Sequence, residues 1–144
     1  MVLLWFTTEM RTLRLEVGEI SLREEGIINA RVFPNSKITL KDAQNFFHTI
    51  ELLTNKDVHA SIIDITNISG LDKDARTFMV DTCNEWGTTA GVAFVSNSVV
   101  SRLIGNLFLT VSKLDYPIRI FKDSGKAKYW AKSEYLKRTS ITHV

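Results

Sequence analysis

Three places in this chain put hydroxyls and amides where a buried run gives way to a helix. Thr66, Asn67 and Ser69 follow the β-branched run at residues 61–65; Ser96, Asn97 and Ser98 follow residues 90–95; Lys122, Asp123 and Ser124 follow residues 116–121. Free backbone N–H groups at a helix start favour an anion, so the three sets form a rim suited to a carboxylate or a phosphate. Ser, Asn and Asp are also the preferred N-caps, and capping alone accounts for them as mechanically.

Other reactive side chains carry no catalytic pattern. His48, His59 and His143 share no metal-ligand spacing, and neither a metal nor a cofactor is expected. No G-x-S-x-G elbow, P-loop, dinucleotide fingerprint or zincin helix occurs. Cys83 falls on an apolar helix stripe, the setting of an inert core thiol. Asp64, between Ile63 and Ile65, either caps a neighbouring turn or meets a cation. Arg76 stands four residues after Asp72, the spacing of an intrahelical ion pair. No catalytic residue is predicted, and the chain is expected not to be an enzyme.

The elements that hold the rim follow from periodicity. Leu13, Leu15 and Val17 alternate with charged residues, and Ile20 and Leu22, and Ile28, Ala30 and Val32, alternate with polar or charged ones. With turns at Gly18-Glu19 and at Glu24-Glu25-Gly26, that predicts an antiparallel meander. The period then changes. Thr39-x-x-Asp42 is an acidic capping box that opens a helix with the stripe Leu40, Ala43, Phe46, Phe47, Ile50 and Leu53. After the central strand, Ser69-x-x-Asp72 repeats the capping pattern and opens a second helix, ended by Gly87. Residues 90–95 form the next buried strand. Ser96-Asn-Ser98 leads into a third helix, whose core stripe is Val99, Val100, Leu103, Ile104, Leu107, Phe108 and Val111. Its outer line is Arg102, Asn106 and Leu109, with the small residues Ser101 and Gly105 beside it, which suits a partner or dimer surface. A strand ending at Phe121 and a helix capped by Asp123, carrying Ala127, Trp130 and Ala131, complete the order. The fold class is α/β with a mixed sheet: an antiparallel meander, then α-β-α-β-α-β-α with parallel pairings.

The totals fit this picture. At 144 residues the chain is expected to form a single domain, with residues 1–10 as an extension and 138–144 as a tail. A formal charge of +2 is too small to suggest nucleic acid, and the late lysines read as a solvated helix face. One cysteine gives no disulfide framework and points to a reducing, cytoplasmic setting. The apolar start, Met1-Val-Leu-Leu-Trp-Phe6, is too short for a signal-peptide core, and no apolar run reaches the ~20 residues that cross a bilayer.

Four phrases together carry a family resemblance: Gly26-Ile-Ile-Asn-Ala-Arg-Val, Ile63-Asp-Ile-Thr-Asn-Ile-Ser-Gly-Leu-Asp-Lys-Asp-Ala-Arg76, Ser101-Arg-Leu-Ile-Gly-Asn-Leu-Phe-Leu109 and Tyr116-Pro-Ile-Arg-Ile-Phe121. Over residues 19 to 135 the chain resembles uncharacterised bacterial proteins related to STAS domains, the fold of the anti-sigma-factor antagonists. The resemblance implies a SpoIIAA-like mixed sheet, also likened to lipid-binding CRAL-TRIO domains. Those antagonists are phosphorylated at an Asp-Ser-Ser/Thr-Gly motif; here the matching place reads Asn67-Ile-Ser-Gly-Leu71, so Ser69 alone carries over and the preceding Asp-Ser is absent. The expected function is a regulatory or partner-binding module, a homodimer that uses Thr66, Asn67, Ser69, Ser96, Asn97, Ser98, Arg102 and Asn106. The alternative is a carrier of a small amphipathic or lipid-like ligand held between helices and sheet, and an enzyme of unknown reaction is third.

Overall fold

The computed structural model describes residues 11–99, 101–103 and 114–142. Strands β1 (Arg11–Arg14), β2 (Gly18–Glu24) and β3 (Ile27–Val32) form the antiparallel meander. The two-residue β4 (Lys37–Ile38) precedes α1 (Leu40–Thr54); β5 (His59–Asp64) and the equally short β6 (Gly70–Leu71) precede α2 (Lys73–Trp86). Then come β7 (Thr89–Val95), β8 (Ile118–Phe121) and α3 (Ser124–Thr142). Residues 99 and 101–103, after β7, are helical. The main sheet has the order β1-β2-β3-β5-β7-β8, and β3, β5, β7 and β8 run parallel. The mixed sheet and the interior position of β5 agree with the sequence reading.

Alternation along the strands sorts two cores. Ile28, Ala30, Val92 and Phe94 face α1 and α2 with Ala43, Phe46, Phe47, Ile50 and Leu53. Ile27, Ala60, Ile62, Ala93 and Val95 face α3, where Ala127 and Ala131 are fully buried. Small residues on both sides of that second seam let α3 lie close to β5 and β7. Each isoleucine removed from water in this way stabilises the fold by roughly 1.5–3 kcal/mol. The Thr39 hydroxyl accepts the Asp42 N–H at 3.2 Å and the Asp42 carboxylate accepts the Thr39 N–H at 3.0 Å, so the first capping box is built as expected.

Several boundaries differ from the sequence reading. Gly18 lies inside β2, opposite Val32, and the turn falls earlier, closed by the Leu15 N–H donating to Gly18 O at 2.7 Å. A Cβ on Gly18 would sit 2.4 Å from Arg31 O and 2.7 Å from Phe46 Cζ, so the missing side chain is what lets α1 rest there. Leu40 is exposed at the start of α1, outside the stripe assigned to it. Residues 138–142, read above as tail, continue α3, and Arg138 donates to Gly87 O at the end of α2. Lys132 pairs with Glu24 at 3.4 Å and Lys137 with Glu134 at 3.5 Å, which fits the late lysines to a solvated helix face.

Beneath α2 the core is partly polar. His59 is buried edge-on to Trp86, with Nδ1 3.0 Å from Asp57 O. Burial lowers its pKa, and the bond to Asp57 O opposes that only in part. Burial also pushes the Cys83 thiol up to about 11, against the opposing hydroxyls of Thr89 and Tyr116, so the inert-thiol reading has a physical cause. The Tyr116 hydroxyl is raised by burial first and by Cys83 second. Thr89 Oγ1 has no hydrogen bond of normal geometry among the described residues; the Cys83 thiol beside it is a weak partner.

Three outcomes follow. Gly18→Ala should destabilise the fold by about 2 kcal/mol or more through overpacking. Gly87→Ala, at a φ of +66° with open space around it, should cost only about 1 to 2 kcal/mol. Chemical denaturation of both variants checks this, and a near-neutral Gly18→Ala would return that residue to a turn. His59 stays neutral in the fold below its ordinary value of 6.5 while the unfolded chain takes up a proton. Stability should therefore fall as the pH drops through the ordinary value of 6.5, and His59→Gln should flatten that slope in denaturant titrations. An unchanged slope would show that another group governs it.

Candidate functional site

The four parallel strands all end at one edge of the sheet, and the three polar sets lie there. At the exit of β5, Asp64 Oδ1 accepts the Thr66 N–H at 2.9 Å. That carboxylate caps its own turn, one of the two roles open to it from the sequence. Asn67 and Ser69 are exposed and Thr66 is half-buried.

Ser69 does not cap α2, and this corrects the second capping pattern. Its N–H donates to Ser36 O at 2.9 Å and its hydroxyl donates to Asn35 O at 3.2 Å. The Asn35 N–H donates to Asn67 O at 2.8 Å, and the Asp72 N–H donates to Ile38 O at 2.9 Å. Together with the parallel pairing of Lys37–Ile38 to Gly70–Leu71, these bonds sew the exit of β5 to the chain before α1. Asp72 is the N-cap residue of α2, with no side-chain cap bond. Its carboxylate pairs with Lys37 at 3.3 Å across the small sheet, in place of the ion pair to Arg76 that the sequence predicts.

At the exit of β7 the three serines divide their work. Ser96 is fully buried; its N–H donates to Phe121 O at 2.9 Å and its hydroxyl donates to Ser98 O at 3.2 Å while touching Ser101 Oγ. Ser98 Oγ accepts the Ser101 N–H at 3.2 Å and lies 2.6 Å from Ser101 Oγ, and Ser98 O accepts the Arg102 N–H at 3.1 Å. Ser98 is thus the cap of the following helix, and Ser96 is its buried anchor. Asn97 and Arg102 face solvent.

That anchoring turns the helix away from the expected register. Ser101, placed beside the outer line by the sequence, is fully buried, while Val99 is 72% and Leu103 61% exposed instead of joining the core. Two hydroxyls, Ser96 and Ser101, bond each other inside, and this draws the polar side inward. Val99 and Leu103 stand four apart on one face, with Arg102 beside Leu103. Asn106 and Leu109 of the expected outer line, and Gly105 beside it, lie outside the described residues, as do His143 and the apolar start of the chain. The sequence signal for this register was the Ser-x-Ser-x-x-Ser spacing of residues 96, 98 and 101, of which Ser96 and Ser98 were read as rim or caps and Ser101 as a small residue of a partner surface.

A cavity of about 50 Å³ lies between the sheet and the first two helices, lined wholly by apolar side chains that include Phe46, Ile50, Ile63, Met79 and Phe94. It is well below the roughly 150 Å³ of an engineered cavity that takes up benzene. Among the described residues no group of three or more His, Cys, Asp or Glu side chains is placed to hold a metal ion. Nor is any described helix long and apolar enough to cross a membrane.

The fold is shared with a protein of known structure. An uncharacterised protein of the DUF3478 family from Shewanella loihica PV-4, with a SpoIIAA-like fold, superposes with a TM-score of 0.53 at 16% identity, over 85% of this chain and 91% of the other. No curated protein matches the sequence. A family model described as "Domain of unknown function (DUF7793)" matches residues 20–135. With its mixed sheet of SpoIIAA-like form, the chain belongs to the DUF7793 family.

Proposed function

We propose that this protein is a non-enzymatic, STAS-like regulatory module of the cytoplasm. It binds a protein partner, in the first place a second copy of itself, over the helix after β7. The observation that carries this is the outward pair Val99 and Leu103, 72% and 61% exposed beside Asn97 and Arg102. An exposed apolar pair with an arginine beside it offers desolvatable area and a charge-capable anchor, and Asn67 and Ser69 at the neighbouring strand exit supply a polar rim. The strand-exit hydroxyls hold turns and caps, which supports recognition over chemistry. Ser69 is the place to which the resemblance carries a phosphoryl group. Its hydroxyl is bonded to Asn35 O and precedes β6 rather than a helix, so the reading rests on the surface and not on phosphorylation.

A carrier of an amphipathic or lipid-like ligand is the second reading, favoured by the apolar cavity beneath α1 and α2. At about 50 Å³ that cavity must widen before any such ligand enters. Native mass spectrometry separates the two. The expected result is a dimer that Val99→Asp or Leu103→Asp converts to monomer, with melting temperature little changed because both side chains are exposed. A wild-type monomer, or a dimer indifferent to both substitutions, would remove the self-association reading. A bound mass released by organic solvent would favour the carrier.

A further inference from the structure

A groove of about 420 Å³ opens on the other face of the sheet, between β8 and the first turns of α3, lined by Arg119, Phe121, Asp123, Lys126, Tyr129 and Trp130 among others. That volume is in the range of small-molecule sites, about 300–1,000 Å³. It is independent of Val99 and Leu103 and of the surface proposed above.

Arg119 and Phe121, two apart on β8, point to the same face. The Arg119 guanidinium carbon lies 5.2 Å from the centre of the Phe121 ring and 6.0 Å from that of Trp130. Those two rings are 5.8 Å apart and tilted by 47°. An arginine stacked on aromatic faces keeps its in-plane N–H groups free, and their fork matches a carboxylate or phosphate. Arg31, which also lies over an aromatic ring, gives its fork to Glu19 at 3.2 Å. Arg119 has no ion pair among the described residues. Its charge is held in place and left unanswered.

The rest of the groove complements that cation. Lys126 adds a second positive charge, from the first turn of α3. The one carboxylate in the lining, Asp123, accepts the Gly125 N–H through Oδ1 at 2.8 Å and keeps its charge, so the lining holds two cations against one anion. Tyr129 is 79% exposed and, with Trp130, gives the groove an aromatic wall. A fork for an anion next to aromatic rings defines a two-part ligand.

We infer that the groove binds a small organic anion, a phosphate or carboxylate carried on a flat ring. The anion sits in the Arg119 fork with Lys126 close by, and the ring lies against Tyr129 and Trp130. The test is residue-resolved NMR titration of the full chain with phenyl phosphate, with inorganic phosphate and phenol as separate arms. Phenyl phosphate should give saturable shifts at the Trp130 indole N–H and the Arg119 Nε–H, with inorganic phosphate and phenol each at least tenfold weaker. Arg119→Gln should weaken phenyl phosphate at least tenfold, the loss expected when a charge-assisted pair is removed. Arg119→Lys should also weaken it, because a point charge lacks the stacked fork. Tyr129→Ala, at an exposed position, should loosen binding several-fold with an unchanged melting temperature. No saturation, equal binding by wild type and Arg119→Gln, or inorganic phosphate as tight as phenyl phosphate would each overturn the assignment.

Discussion

β5 is the strand on which the molecule depends, because it is covered on both faces and hydrogen-bonded along both edges. Ile63 packs against the core under α1 and α2, Ile62 against the seam under α3, and β3 and β7 flank it in parallel. A parallel pair requires its crossover to return over a face of the sheet, so α1 and α2 are placed once this strand is interior. The same constraint brings the carboxyl ends of β3, β5, β7 and β8 to one edge. Any site that uses strand exits is confined to that edge by the topology before its side chains are considered.

What the edge then presents is decided by where its polar groups are engaged. Asp64, Ser69, Ser96, Ser98 and Ser101 all bond within the protein, closing turns, capping a helix or joining β4 to β6. Their chemistry is turned to holding shape. The two surfaces proposed above as binding sites differ in kind: an exposed apolar pair with an arginine after β7, and an arginine on β8 stacked among aromatic rings. The proposed occupants differ accordingly, another protein for the first and a small ring-bearing anion for the second.

Much of this was legible in the sequence wherever the cause was local. Thr39 and Asp42 are three residues apart and satisfy each other, so nothing distant competes with that helix start. The interior strands were legible because residues buried on both faces read as short apolar runs with little polar alternation, as in residues 90–95. The same Ser-x-x-Asp pattern misled at Ser69, because Gly70 and Leu71 pair with Lys37 and Ile38, more than thirty residues away in sequence. No spacing rule can announce such a partner. Gly18 shows the same limit: its local company suggests a turn, while the reason for glycine is Phe46 and the Arg31 carbonyl pressed against it. The register of the helix after β7 was set by a buried serine pair, whereas an apolar count alone favours Val99 and Leu103 for the core. Arg119 drew no attention in sequence because its rings come from two elements.

Residue-resolved amide hydrogen exchange tests the central claim most directly. If β5 is the doubly buried interior strand, the amides of residues 61–64 should exchange only through global unfolding, with opening free energies equal to that from denaturant, while those of β1 at the margin exchange far sooner. Exchange of Ile62 and Ile63 at the rate of the β1 amides would contradict the account.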